Sequence, residues 1–176
     1  MGNTILTRNV FVEIALQELL NTCSCKNICV VDIDSYHSLT ELLQAMQDSG
    51  LKPDQKIYLL NGVSVYSKML TPVAAFHLCD SPAHIKDVMV KEKTCDYAYV
   101  TKHIMRFRGL SMMTLKEKKI AYALVAYKDV PSMARAMDSN HKTIYSRVRI
   151  MADKLNLRDI GQVRKFILSE VSAANN

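Results

Sequence analysis

The 176 residues are 49% hydrophobic, so the chain is expected to fold as a globular protein of one ordinary domain or two small ones. The Met1-Gly2 start lacks a charged-then-apolar leader, and no apolar run approaches the roughly 18 residues of a membrane helix, so a soluble, cytoplasmic protein without a membrane partner is expected. The formal net charge of +6 is unevenly spread: residues 1–100 hold 8 Lys and Arg against 11 Asp and Glu, and residues 101–176 hold 15 against 6. This suits a neutral-to-acidic module beside a polyanion-binding one, although a solvated basic face gives the same count.

In chain order, apolar runs at residues 4–7, 28–33, 56–60 and 73–78 read as strands, and amphipathic stretches at 11–20, 39–46 and 83–90 read as helices. That alternation predicts an α/β unit with a short parallel sheet. Ser38 with Glu41 forms a capping box, and Gly50 offers the left-handed conformation after the helix that follows. Ser81-Pro82 supplies an N-cap followed by proline at the first helical position. Ser64 to Leu70 predicts a further short helix. Residues 91–111 lack Pro and Gly enrichment, which predicts a partly helical connector between a unit at 1–90 and a unit at 112–176.

Few chemistries are compatible with this chain. The five cysteines (Cys23, Cys25, Cys29, Cys79, Cys95) form no CxxC pair and are odd in number, which points to free thiols. Cys23, Cys25 and Cys29 with His37 do not have structural-zinc spacing, so no metal is assigned. Five glycines leave no phosphate-cradling loop, and neither a nucleophile elbow nor an HExxH motif occurs. No enzyme and no cofactor are therefore expected. His77 reads as a core histidine in a strand, while His103 and His141 lie in basic surroundings.

The last third breaks into four helical segments. Thr114-Leu115-Lys116-Glu117 is a capping box, followed by Ile120, Ala121, Leu124 and Val125 at helical spacing. Asp129 caps a short second helix through Pro131 and Met133 to Met137, and Asp138-Ser139-Asn140 forms a turn. Asn140 caps a third helix reaching about Leu155, and Asp159 with Gln162 starts a fourth. Two short helices joined by a tight turn, the second basic, have the layout in which the later helix enters the DNA major groove.

At 100° per residue, Ile144, Val148, Met151 and Leu155 fall in one narrow arc of that third helix, the expected buried stripe. Lys142, Ser146 and Arg149 fall opposite, with Tyr145 at the edge, and Thr143, Arg147 and Lys154 line a flank. Long donors aimed at base edges, flanked by cations aimed at phosphates, are what groove reading requires. An ordinary amphipathic helix with a basic outer face has the same pattern. Asp153 shares the outer face and would repel phosphate, so the helix is expected to leave the groove before it.

Residues 113–158 resemble the LuxR-type DNA-binding domain without a gap, most tellingly at Met113-Thr114, Lys116-Glu117, Met133-Ala134, Lys142-Thr143-Ile144 and Lys154-Leu155. The resemblance implies recognition-helix roles for Lys142, Thr143, Tyr145, Ser146 and Arg149, phosphate contacts from Arg147 and Lys154, and a dimer surface on the fourth helix. Asp138 stands at a usual turn glycine, Pro131 is unusual in the second helix, and Tyr127 replaces a common glycine. Asp tolerates the left-handed conformation such a turn requires.

The first half resembles, more weakly, the receiver domains that precede LuxR-type modules. Val30-Val31-Asp32 ends a strand as a phosphoacceptor does there. Thr7-Arg8 stands where acidic metal ligands would be, Asn61-Gly62 replaces a hydroxyl residue, and Cys79-Asp80 replaces a lysine. Residues 21–26 are too few for the expected second strand and helix. A shortened, degenerate receiver-like domain that phosphorylation does not switch is the expectation, with Asp32 a strand-end carboxylate. The combined expectation is a sequence-specific regulator of transcription that binds promoter or operator double-stranded DNA as a homodimer. Alternatives are an auxiliary co-regulator that forms a heterodimer with a response regulator, or a small-molecule sensor.

Overall fold

The computed structural model describes residues 2–23, 26–51, 55–91 and 95–174. The connectivity separates the chain into two units, residues 1–105 and 106–176, with the boundary inside one helix. Cys25 lies outside the described residues.

In the first unit, strands β1 (Thr4–Leu6), β2 (Ile28–Asp32), β3 (Lys56–Asn61) and β4 (Phe76–His77) form a parallel sheet in the order β1-β2-β3-β4. Val30 lies between Ile5 and Tyr58 in the register. The central strands are buried along nearly their whole length, as expected of a parallel sheet covered on both faces. Helices α1 (Val10–Thr22), α2 (Leu39–Asp48), α3 (Val65–Leu70) and α4 (Pro82–Val90) alternate with the strands. Side chains from β2, β3 and β4 (Ile28, Val30, Tyr58, Leu60, Phe76) pack with Val12, Leu16 and Leu20 of α1 and Ile85, Val88 and Met89 of α4. The pleat sends Cys29, Val31, Ile57 and Leu59 to the opposite face, where they are equally buried. The apolar stripes of α2 and α3 are buried outside the α1–α4 cluster. The buried hydroxyl of Tyr58 donates to the Met89 carbonyl at 3.2 Å, so the ring enters the core without an orphaned polar group.

The sequence expectations for these elements hold closely, except for the strand over 73–78 and for the Ser38–Glu41 capping box, in which the Glu41 carboxylate accepts from the His37 N–H and not from that of Ser38. Ser38, Ser64 and Ser81 cap α2, α3 and α4, and Gly50 has φ +64 after α2. The strand expected over residues 73–78 shrinks to Phe76–His77, because Thr71–Val73 form a 3₁₀ turn that extends α3. Pro72 fixes its own φ and removes a ladder donor, and the Ala74 N–H turns back to the Leu70 and Thr71 carbonyls. Residues 91–111, expected as a partly helical connector, carry α5 (Tyr97–Arg108), most of which falls within the first unit.

The second unit is helical: α6 (Leu115–Ala126), α7 (Val130–Ala136), α8 (His141–Lys154) and α9 (Ile160–Ala174). Ile120, Ala121, Leu124, Met133, Ile144, Val148, Met151, Val163 and Phe166 are all at most 5% exposed and make its core. Among the described residues no helix is long and apolar enough to cross a membrane.

Candidate functional site

The second unit is assembled from local signals. Thr114 and Glu117 form a reciprocal capping box on α6, Asp129 accepts from the Ser132 N–H at 2.7 Å to start α7, and Pro131 sits in the first turn of α7, where its missing donor costs nothing. The turn between α7 and α8 places Asp138 at φ 46, the left-handed conformation that aspartate tolerates. Asn140 then accepts from the Lys142 N–H at 2.9 Å and sets the first turn of α8.

Helix α8 has two unlike faces. Ile144, Val148, Met151 and Leu155, the expected stripe, are buried. Lys142, Thr143, Ser146, Arg147 and Arg149 are exposed, and Tyr145 is half exposed at 53%. No ion pair or hydrogen bond engages the side chains of Lys142, Arg147 or Arg149 among the described residues. Tyr145 stands at the edge, on the wall of a cavity of about 290 Å³ that also touches Pro131 and Gly161.

Lys154 departs from the phosphate contact expected of it. Its ammonium donates to both oxygens of Glu117, at 2.9 and 2.8 Å, and Glu117 is only 2% exposed. Burial raises the Glu117 carboxyl pKa, but the Lys154 and Thr114 hydrogen bonds more than offset it, leaving the group ionised below its usual range. Lys154 therefore neutralises a buried carboxylate. Nor did the sequence reading identify Arg164, whose guanidinium on α9 donates to the Lys128 carbonyl at 2.9 Å and the Tyr127 carbonyl at 3.1 Å. It bridges the carbonyls where α6 ends and fixes the entry to α7. Only the carbonyl end of α6 gives it a role, so no side-chain pattern reports it.

A second polar cluster lies at the carboxyl end of the sheet. Asp32 accepts at Oδ2 from Thr7 (2.8 Å) and Ser35 (2.6 Å), and at Oδ1 from the Asp34 N–H (3.2 Å). Arg8 pairs with Glu41 at 2.6 Å and lies 5.5 Å from the centre of the Tyr36 ring. Asp34, not singled out by the sequence, accepts from the Val63 N–H at 2.7 Å, the Ser64 N–H at 3.2 Å and the Ser67 hydroxyl at 2.6 Å. Burial raises its pKa, and these bonds lower it by more. A Cβ at Gly62 would collide with the Asp34 carboxylate, so glycine is required for that approach. His77 accepts from the Cys79 N–H at Nδ1 and hence donates from Nε2 to the Gly62 carbonyl at 3.1 Å. Cys29 is fully buried, and burial pushes its thiol up to about 12.

No protein-family model matches the sequence, and no curated protein matches it. The fold is similar to solved response regulators. The two-component response regulator RcsB in complex with DNA superposes with a TM-score of 0.65 at 13% identity, over 96% of this chain and 98% of that one. RcsB from Salmonella enterica serovar Typhimurium, bound to a promoter in the presence of the phosphomimetic BeF3-, gives 0.65 at 13% identity over 97% and 98%. The same protein on the promoter rprA gives 0.63 at 12% over 96% and 98%. At these identities the likeness establishes the fold, a parallel α/β unit followed by a helical unit.

Proposed function

We propose that the protein is a transcription regulator that binds double-stranded operator DNA as a homodimer through α8, independently of phosphorylation. Lys142, Thr143, Tyr145, Ser146 and Arg149 face the bases, and Arg147 faces the phosphates. The observation that carries this reading is the outer face of α8, where exposed cations without partners among the described residues stand opposite a fully buried stripe. A solvated basic face alone would not require a capped helix held out by a tight turn on a preceding short helix. That RcsB structures of the same two-unit fold were solved on DNA supports the reading. The receiver-like unit at 1–90, the connector at 91–111 and the DNA-binding unit at 112–176 are part of the proposal.

Phosphorylation independence rests on the sheet end. A receiver would hold magnesium there, but Thr7 and Arg8 supply no carboxylate, and the Asp32 oxygens are already engaged. Mg²⁺ demands near-octahedral oxygen ligands, and these residues do not fit it. Arg8, at the same end of the sheet, is committed to Glu41.

Gel shift against a genomic fragment library tests the proposal. Wild type is expected to select discrete fragments, with affinity falling steeply as salt rises. Lys142→Ala with Arg149→Ala should lose roughly 100-fold or more, since each base-reading donor is worth about 1–3 kcal/mol. Unchanged binding and salt dependence would refute the assignment. A wild-type chain that binds no DNA alone but pairs stoichiometrically with a response regulator would favour the auxiliary-subunit reading.

A further inference from the structure

The exposed side chains of α8 form a row with a definite order. With 3.6 residues per turn, Lys142, Ser146, Arg149 and Asp153 fall within an arc of about 60°, and all four are exposed. Directly opposite stands Met151, which is fully buried, so the row points straight away from the core. Thr143 and Arg147 lie to the side of it. Cations in the middle of such a face meet the floor of a groove, and those on its flank meet the phosphate walls. The Lys142 and Arg149 side chains have no ion pair or hydrogen bond among the described residues, with Asp153 or with any other group. Ser146, short and uncharged, separates the two cations and lets the helix approach closely. Asp153 ends the row one turn beyond Arg149, because its carboxylate repels phosphate.

We propose that Lys142 and Arg149 each read a guanine, so that the operator half-site carries two G·C pairs two or three base-pair steps apart. The inference rests on the DNA-binding reading above and names the sequence element that reading leaves open. Both side chains are donors only, so they require acceptors. Guanine alone offers two acceptors, N7 and O6, on its major-groove edge; adenine sets a donor beside N7, cytosine offers a donor, and thymine sets a methyl beside its single acceptor. The Arg149 guanidinium fork meets both guanine atoms at once, and the Lys142 ammonium can bridge them. The spacing follows from the helix. Seven residues at about 1.5 Å each separate the two cations by about 10.5 Å. That distance covers about three steps of 3.4 Å along the duplex axis, or about two along the slanting path of the groove.

Selection of bound duplexes from a randomised pool by the full chain tests this. Wild type is expected to enrich two guanines at that spacing. Replacing either one by 7-deazaguanine, which lacks the N7 acceptor, should weaken wild-type binding roughly tenfold. Arg149→Gln should turn one of the two preferences from guanine to adenine, and Lys142→Gln the other, because a glutamine amide matches the adenine edge. Each variant should also become insensitive to 7-deazaguanine at its own position and stay sensitive at the other. Both residues are exposed, so the variants should keep the wild-type circular dichroism and melting temperature. Enriched sites without the guanine pair, unchanged base preferences in both variants, or a loss of affinity equal on all sequences, as removal of a phosphate contact gives, would each overturn the inference. Wild type that binds duplexes without enriching such a pair sinks this inference and leaves DNA binding standing. Wild type that binds no duplex sinks the regulator reading and the inference together.

Discussion

The carboxyl end of the sheet and the outer face of α8 are both rich in charge, and they use it in opposite ways. At the sheet end, Asp32, Asp34, Arg8 and Glu41 are all held by hydrogen bonds or ion pairs within the chain. Along α8, Lys142, Arg147 and Arg149 face solvent with no such partner among the described residues. A charge engaged by its own fold adds to stability and has little left for a ligand. One left hydrated can exchange water for an anion at small cost. Lys154 and Glu117 are the instructive exception, a cation on the same helix that belongs to the fold.

The sharpest way to break this contrast is to remove the buried carboxylate. Glu117→Ala should cost about 3 kcal/mol, because it deletes both the ion pair and the capping box. Thermal denaturation should show the loss in the helical unit, and a shift of less than a few degrees would mean that Lys154 is free to serve DNA after all. Next, Asp34→Ala should destabilise the α/β unit by about 2 kcal/mol, since it removes charge-assisted bonds to the loop after β3. Hydrogen exchange at Val63 and Ser64 would report the released amides.

Acid provides a related check with a definite sign. Glu117 and Asp34 both have folded pKa values below their ordinary values of 4.5 and 3.8. Their contribution is fully present above those ordinary values and is lost as pH falls through the lowered folded ones. Denaturation midpoints should therefore drop below about pH 4.5, with Glu117→Gln flattening the helical unit's share. Arg164→Ala should cost about 1 kcal/mol, because its carbonyl contacts are exposed, and should loosen the α6–α7 entry in hydrogen exchange. The smallest expected effect is at Asp32. Asp32→Asn, or treatment of wild type with acetyl phosphate, should leave operator affinity within about twofold, under 0.5 kcal/mol; a tenfold gain from the phosphate donor would show that the sheet end still acts as a switch.

Much of the fold was legible in the sequence because its signals are local. The caps at Ser38, Ser81, Thr114, Asp129 and Asn140 act within three residues, and the α8 stripe follows from helical periodicity, so windows of a few residues contained them. The 3₁₀ turn at Thr71–Val73 was concealed because Val73 opens an apolar run that suits a strand, although Pro72 just before it works against a ladder.

What the sequence alone determined about this protein is its order of elements, its uneven charge and the outward cations of α8, all set by nearest neighbours along the chain. Tertiary structure alone decided which charges remain available. Asp34 meets Ser67 across 33 residues, Lys154 meets Glu117 across 37, and Arg164 meets Tyr127 across 37. Such partners become neighbours only when packing brings distant segments together, and the choice between a structural and a ligand-facing cation is made there.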